Sequence, residues 1–223
     1  MCLILFAWQV DAARPLVVAA NRDEYHARPA LPARFWPEHP GLLAGRDLQG
    51  GGTWLGITRN RRFAAVTNFR EPEISTGARS RGELCIDFLL GTQSAGSYCQ
   101  KLAATAGNYG GYNLLLGDDK ELRYYSNQRR SSRALDAGIY GMSNGYLDEP
   151  WPKVASGKQA LGEALQQPGL LERCLDILAD RSQPQDRHLP DTGVGLDFER
   201  LLSPRFILSD SYGTRVSTAL FLD

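Results

Sequence analysis

A chain of 223 residues with 43% apolar content holds enough material for a sizeable core. Its 25 Lys and Arg offset 25 Asp and Glu, which excludes the basic footprint of a nucleic-acid binder. Cys2, Cys85, Cys99 and Cys174 have neither CxxC nor zinc-ligand spacing, so a disulfide framework is excluded and reduced thiols are expected. The apolar N-terminus lacks a basic leader and a small-residue cleavage site and soon meets Asp11, unlike a signal peptide. No stretch approaches the roughly 20 apolar residues of a membrane helix. A cytoplasmic location is expected. Arg59, Arg61 and Arg62, and Arg129, Arg130 and Arg133, read as solvated basic turns.

In chain order, Leu3–Val10 and Pro15–Ala20 are β-like runs joined by a short loop, Asp11-Ala12-Ala13-Arg14. Arg28–Pro40 reads as a Pro-rich loop, followed by strands at Thr53–Thr58 and Arg62–Phe69. Gly50-Gly51-Gly52 lacks the Lys-Ser/Thr and helix start of a P-loop and reads as a flexible run into a strand. Gly82–Leu90, stopped by Gly91, and Ala95–Ala106 have helical spacing. Strands return at Tyr112–Leu116, Leu122–Ser126 and Ile139–Met142. Pro152–Leu165 and Leu170–Ala179 form a second helical pair, and Phe206–Ser209 and Thr214–Leu222 end the chain as β. No repeat or linker divides it, so one domain is expected over residues 1–223. Strand blocks alternating with helix pairs disfavour a Rossmann sheet, which wants a helix between parallel strands. Two antiparallel sheets packed face to face with helices outside fit better, an α+β fold with four αββα layers.

Cys2 stands directly before the first strand. If Met1 is removed, which a small second residue permits, Cys2 carries a thiol and a free α-amine on one residue. Their reference pKa values are about 8.5 and about 7.7–8.0, so the amine can serve as base for its own nucleophile. If Val10 pairs with Pro15, Cys2 faces Asp23, with Arg22 beside it. Asn21-Arg22-Asp23-Glu24 then form a polar cluster at a sheet rim beside the thiol. Arg22 would favour thiolate and Asp23 would hold the α-ammonium. Asn68, Asn113 and Asn144 lie at strand ends, where side-chain amides can donate to an oxyanion. Arg215 enters an apolar terminal strand and needs an anionic or carboxylate acceptor. His26, His39 and His188 form no metal-ligand pattern, and no metal or cofactor is expected.

Several segments together carry a resemblance: Met1-Cys2, Asn21-Arg22-Asp23-Glu24, Gly51-Gly52-Thr53-Trp54-Leu55-Gly56 and Thr67-Asn68, followed by Ser80-Arg81-Gly82-Glu83-Leu84. Gly141-Met142-Ser143-Asn144 with Pro150-Trp151 and Lys153, and Tyr212-Gly213-Thr214-Arg215, complete it. In this order they resemble the NRDE family, which includes the transport and Golgi organisation protein 2 group. That family is similar to the cysteine-type N-terminal-nucleophile hydrolases, which adopt an αββα sandwich and cleave non-peptide amide C–N bonds. The resemblance implies Cys2 as nucleophile, with Asn21-x-Asp23 matching an Asn-x-Asp element near it. It also implies Asn144 as an oxyanion-hole residue and Arg215 as a late site arginine. An Arg that commonly precedes that Asn is replaced here by Ala20, and Arg22 lies inside the motif. Two functions follow from the resemblance. One is an N-terminal-nucleophile amidohydrolase acting on a non-peptide acyl amide through Cys2, with Asn68 or Asn144 at the oxyanion. The other is a non-catalytic protein that binds or traffics haem or an acyl-CoA-like lipid.

Overall fold

The run Leu3-Ile4-Leu5-Phe6-Ala7-Trp8 is apolar at every position because both faces of its strand are buried. The computed structural model describes residues 2–72 and 77–223. They group into two units, one of Met1–Ala27, Arg70–Glu73 and Asp136–Asp223, the other of Arg28–Phe69 and Ile74–Leu135. The first unit holds strands β1 (Cys2–Asp11), β2 (Arg14–Tyr25), β10 (Gly138–Met142) and β11 (Tyr212–Leu222), numbered along the chain. They form an antiparallel sheet in the order β10-β1-β2-β11, which places the strand begun by Cys2 in its interior. Leu3, Leu5, Ala7, Val17 and Ala19 on one face pack with α3 (Pro152–Ala164) and α4 (Leu170–Leu178) through Val154, Leu161, Leu170, Cys174 and Leu178. A short helix, α5 (Leu196–Leu201), completes this unit.

The second unit is a seven-stranded antiparallel sheet in simple sequence order. Its strands are β3 (Ala30–Trp36), β4 (His39–Asp47), β5 (Leu55–Thr58), β6 (Phe63–Asn68), β7 (Tyr112–Gly117), β8 (Leu122–Ser126) and β9 (Ser131–Ala134). Helices α1 (Gly82–Leu90) and α2 (Ala95–Thr105) lay Leu84, Phe88, Tyr98 and Leu102 on Leu42, Ala64, Val66, Leu114 and Leu116. The glycines before β5 have separate reasons. Gly51 has a φ of 73°, where side chains are strained, and a Cβ on Gly52 would stand 2.4 Å from the Gly82 carbonyl carbon. That close approach ties the Gly51-Gly52-Thr53 segment to the start of α1.

Four expectations are corrected. The stretch Arg28–Pro40 is mostly strand, because Leu31, Phe35 and Trp36 in β3 pair with Arg46, Leu43 and His39 of β4. Phe206–Ser209 is irregular, held by individual hydrogen bonds such as Phe206 N–H to the Asp180 carbonyl. Asn21–Glu24 lie within β2, not at its rim, because β11 continues the ladder alongside them. The first hairpin is also offset by one. Asp11 pairs with Arg14, in the register that a Val10–Pro15 pair implies, but a bulge at the end of β1, where Gln9 has a φ of 50°, inserts an extra residue. From Trp8 back to the N-terminus the partners are shifted, and Cys2 pairs with Arg22 instead of Asp23.

Candidate active site

Cys2 is the first residue of β1 and is 7% exposed. Its carbonyl accepts a 2.9 Å hydrogen bond from Ser143 Oγ, just after β10, which fixes the start of the strand. Burial pushes the thiol up, Asp23 adds to this, and both the Arg22 charge and a hydrogen bond from the Asp23 backbone N–H oppose it. Arg22 therefore acts in the expected direction but is outweighed. The net direction favours the thiol over the thiolate.

The one-residue offset separates the polar cluster by role. Arg22, across from Cys2, is buried and lies 3.7 Å from Glu24 Oε2. Asn21 is wholly buried and faces the helices, donating to the Leu178 carbonyl at 2.9 Å and the Arg205 carbonyl at 2.7 Å. Its Oδ1 accepts from Ser217 Oγ at 2.7 Å, so Asn21 ties β2 to the end of α4 and to β11. Asp23 Oδ1 accepts from Thr214 Oγ1 at 2.6 Å, and burial raises the carboxyl against the lowering effects of Lys153 and Arg22.

From Cys2 a chain of contacts leads through Asn144 to groups to which the sequence reading assigned no role. Ser143 Oγ lies 3.3 Å from Oδ1 of Asn144, and the Asn144 carbonyl accepts the Arg70 N–H at 2.7 Å. The Arg70 guanidinium lies over the Trp151 ring, 4.5 Å from its centroid, and pairs through Nη1 with Glu199. Glu199 is fixed by the Thr192 N–H at 3.1 Å and hydroxyl at 2.5 Å. Lys153, in the first turn of α3, donates to the Leu202 carbonyl at 2.8 Å. Burial pushes its ammonium down to about 8, opposed by the charges of Asp23 and Cys2. One signal for Lys153 was available, since it shares the buried helical stripe of Gly157, Leu161 and Ala164, where a lysine is out of place. Arg70 and Glu199, 129 residues apart, carry no local signal.

Lys153 predicts a pH dependence of stability. Below about pH 8 the folded and unfolded chains both hold its proton. Between about 8 and the ordinary 10.5 the unfolded chain binds more protons, so stability rises with pH. The full rise is about 3 kcal/mol. Urea unfolding at pH 7 and pH 10 should show Lys153→Met losing this rise relative to wild type; equal pH dependence in the two proteins would refute it.

Other sequence-selected residues lie elsewhere. Asn68 ends β6 in the second unit, paired with Tyr112. Asn113 is buried there, donating to Thr67 Oγ1 and accepting from the Tyr124 hydroxyl at 2.6 Å. Arg215 is the extra residue of a bulge in β11, and its guanidinium donates to the carbonyls of Tyr25 at 2.8 Å and His26 at 3.0 Å. His26 follows β2 in a turn, its Nε2 lying 3.0 Å from the Ser209 carbonyl. Among the described residues no group of three His, Cys, Asp or Glu could hold a metal ion, and no helix is long and apolar enough to cross a membrane.

A solved structure of the Caenorhabditis elegans ortholog of N-acylethanolamine-hydrolyzing acid amidase is similar over 93% of this chain and 100% of that one, with a TM-score of 0.55 and 12% identity. With the two antiparallel sheets and their helices, this places the chain in the expected fold class, the αββα sandwich of N-terminal-nucleophile hydrolases. At sequence level, the model of the Transport and Golgi organisation 2 family matches residues 1–223. The chain is 35% identical to the Bos taurus Transport and Golgi organization protein 2 homolog and 33% identical to that of Homo sapiens, covering all of this chain and 89% of each relative. The chain belongs to the Transport and Golgi organisation 2 family.

Proposed function

We propose that this protein is an N-terminal-nucleophile amidohydrolase acting on a non-peptide acyl amide through Cys2. One observation carries the reading: residue two opens an interior strand, its carbonyl is held by Ser143, and its thiol receives the Asp23 N–H. Removal of Met1 would place an α-amine on the same residue. Because burial disfavours a standing thiolate, this amine takes the thiol proton as sulfur attacks the carbonyl. Asp23 holds the resulting ammonium, and Asn144 donates to the oxyanion. Collapse breaks the C–N bond, the leaving amine takes the proton, and water releases the acyl group from the thioester. Asn21 and Arg215 act here as positioning residues, and Arg22 opposes the desolvation of sulfur.

The upward push on the thiol favours a second reading, a cytoplasmic protein that binds haem or an acyl-CoA-like lipid without turnover. Intact mass and limited iodoacetamide mapping of native protein test the first reading. The expected mass lacks Met1, and Cys2 labels first. Cys85, Cys99 and Cys174 are more deeply buried on helices, and burial pushes Cys99 and Cys174 up to about 11. Retention of Met1, or earlier labelling of another cysteine, refutes the nucleophile assignment.

A further inference from the structure

Arg70 is 2% exposed at its side chain, yet only one edge of its guanidinium is used. Nη1 meets Glu199, whereas Nε and Nη2 find no hydrogen-bond acceptor among the described residues. Those two donors lie on the same side of the planar group, and their parallel N–H bonds match the two oxygens of a carboxylate. Arg205 also leaves Nε unpartnered, but a single donor offers no such fork. The guanidinium is held by Glu199 at one end and by Trp151 beneath it, and the Arg70 backbone N–H anchors the residue on the Asn144 carbonyl. Through Asn144 and Ser143 it is linked to Cys2.

We propose that the Nε–Nη2 edge of Arg70 is a carboxylate-binding site and that the substrate of the proposed hydrolase carries a carboxylate near its amide. The assignment to substrate rests on the hydrolase reading; the binding site itself does not. Charge supports it. Arg70 and Lys153 face Glu199 and Asp23, and Glu199 meets only the Nη1 end of the guanidinium, which leaves the Nε–Nη2 edge for a second anion to balance. A lysine could not replace this edge, because its ammonium lacks the planar fork.

The test follows the Nε–H resonance of Arg70 in the full chain labelled with ¹⁵N-arginine, assigned by through-bond correlation from the Arg70 backbone. Acetate is titrated against acetamide and chloride at constant ionic strength. A saturable shift with acetate alone is expected, and Arg70→Lys should weaken acetate binding at least about tenfold by thermal shift. No saturable acetate shift, or an equal one with acetamide or chloride, overturns the site, and this result does not depend on whether Arg70→Lys folds. Turnover is scored separately. Acetate binding without amide turnover refutes the hydrolase and leaves the site standing. Turnover insensitive to acetate, with no gain for carboxylate-bearing amides, refutes the assignment to substrate.

Discussion

Cys2→Ala should abolish hydrolysis of any acyl amide that the wild-type protein turns over, while its melting temperature stays close to wild type. The substitution removes one sulfur atom from a small buried side chain, and the Ser143 bond that holds the strand goes to the backbone carbonyl, which alanine keeps. Without sulfur no thioester can form. Removing the oxyanion donor, by Asn144→Ala, should cost on the order of 10²–10³ in turnover. A carrier would behave otherwise, with Cys2→Ala mattering only if the thiol touched the ligand. An acyl-amide panel read by mass spectrometry, beside thermal-shift titrations with haem and an acyl-CoA, separates the two, because a ligand that binds only the folded state raises the melting temperature. No turnover by protein with Cys2 exposed, together with a saturable shift from haem or acyl-CoA, would establish the carrier.

Glu199→Ala should destabilise the protein by about 3–5 kcal/mol, the usual cost of stripping one partner from a buried ion pair. Both side chains are almost fully buried, and the Arg70 guanidinium would lose the one hydrogen-bond acceptor it has among the described residues. Burial already pushes the guanidinium down, and Glu199 opposes that push. Removing the charged partners together should be far less harmful, so the double variant Arg70→Met with Glu199→Ala should recover much of the loss. Urea unfolding of the two single variants and the double gives the coupling between the residues. A loss below about 1 kcal/mol for Glu199→Ala would mean that water reaches this arginine and screens it, as at exposed pairs.

The strands and helices were legible in the sequence wherever the cause is local. Helix α1 has the expected bounds, set by Leu84 and Phe88 at helical spacing and the stop at Gly91. Strand β8 also matches, and the all-apolar run after Cys2 marked a strand buried on both faces. The nearness of Asn21–Glu24 to Cys2 followed from a short hairpin, since two strands joined by a tight turn must lie together. Tertiary structure decided what a few neighbouring residues cannot. One bulged residue near Gln9 changed the partner of Cys2 from Asp23 to Arg22, because a pairing register shifts along the whole strand beyond an insertion. Arg28–Pro40 became strand because β4 supplied partners, overriding its proline content. Arg70, Asn144, Lys153 and Glu199 come from separate stretches of the chain, and only the packed fold gathers them around the residue that opens its first strand. Burial and long-range charge then act on the Arg70 and Lys153 cations, and neither exists in the chain before it folds.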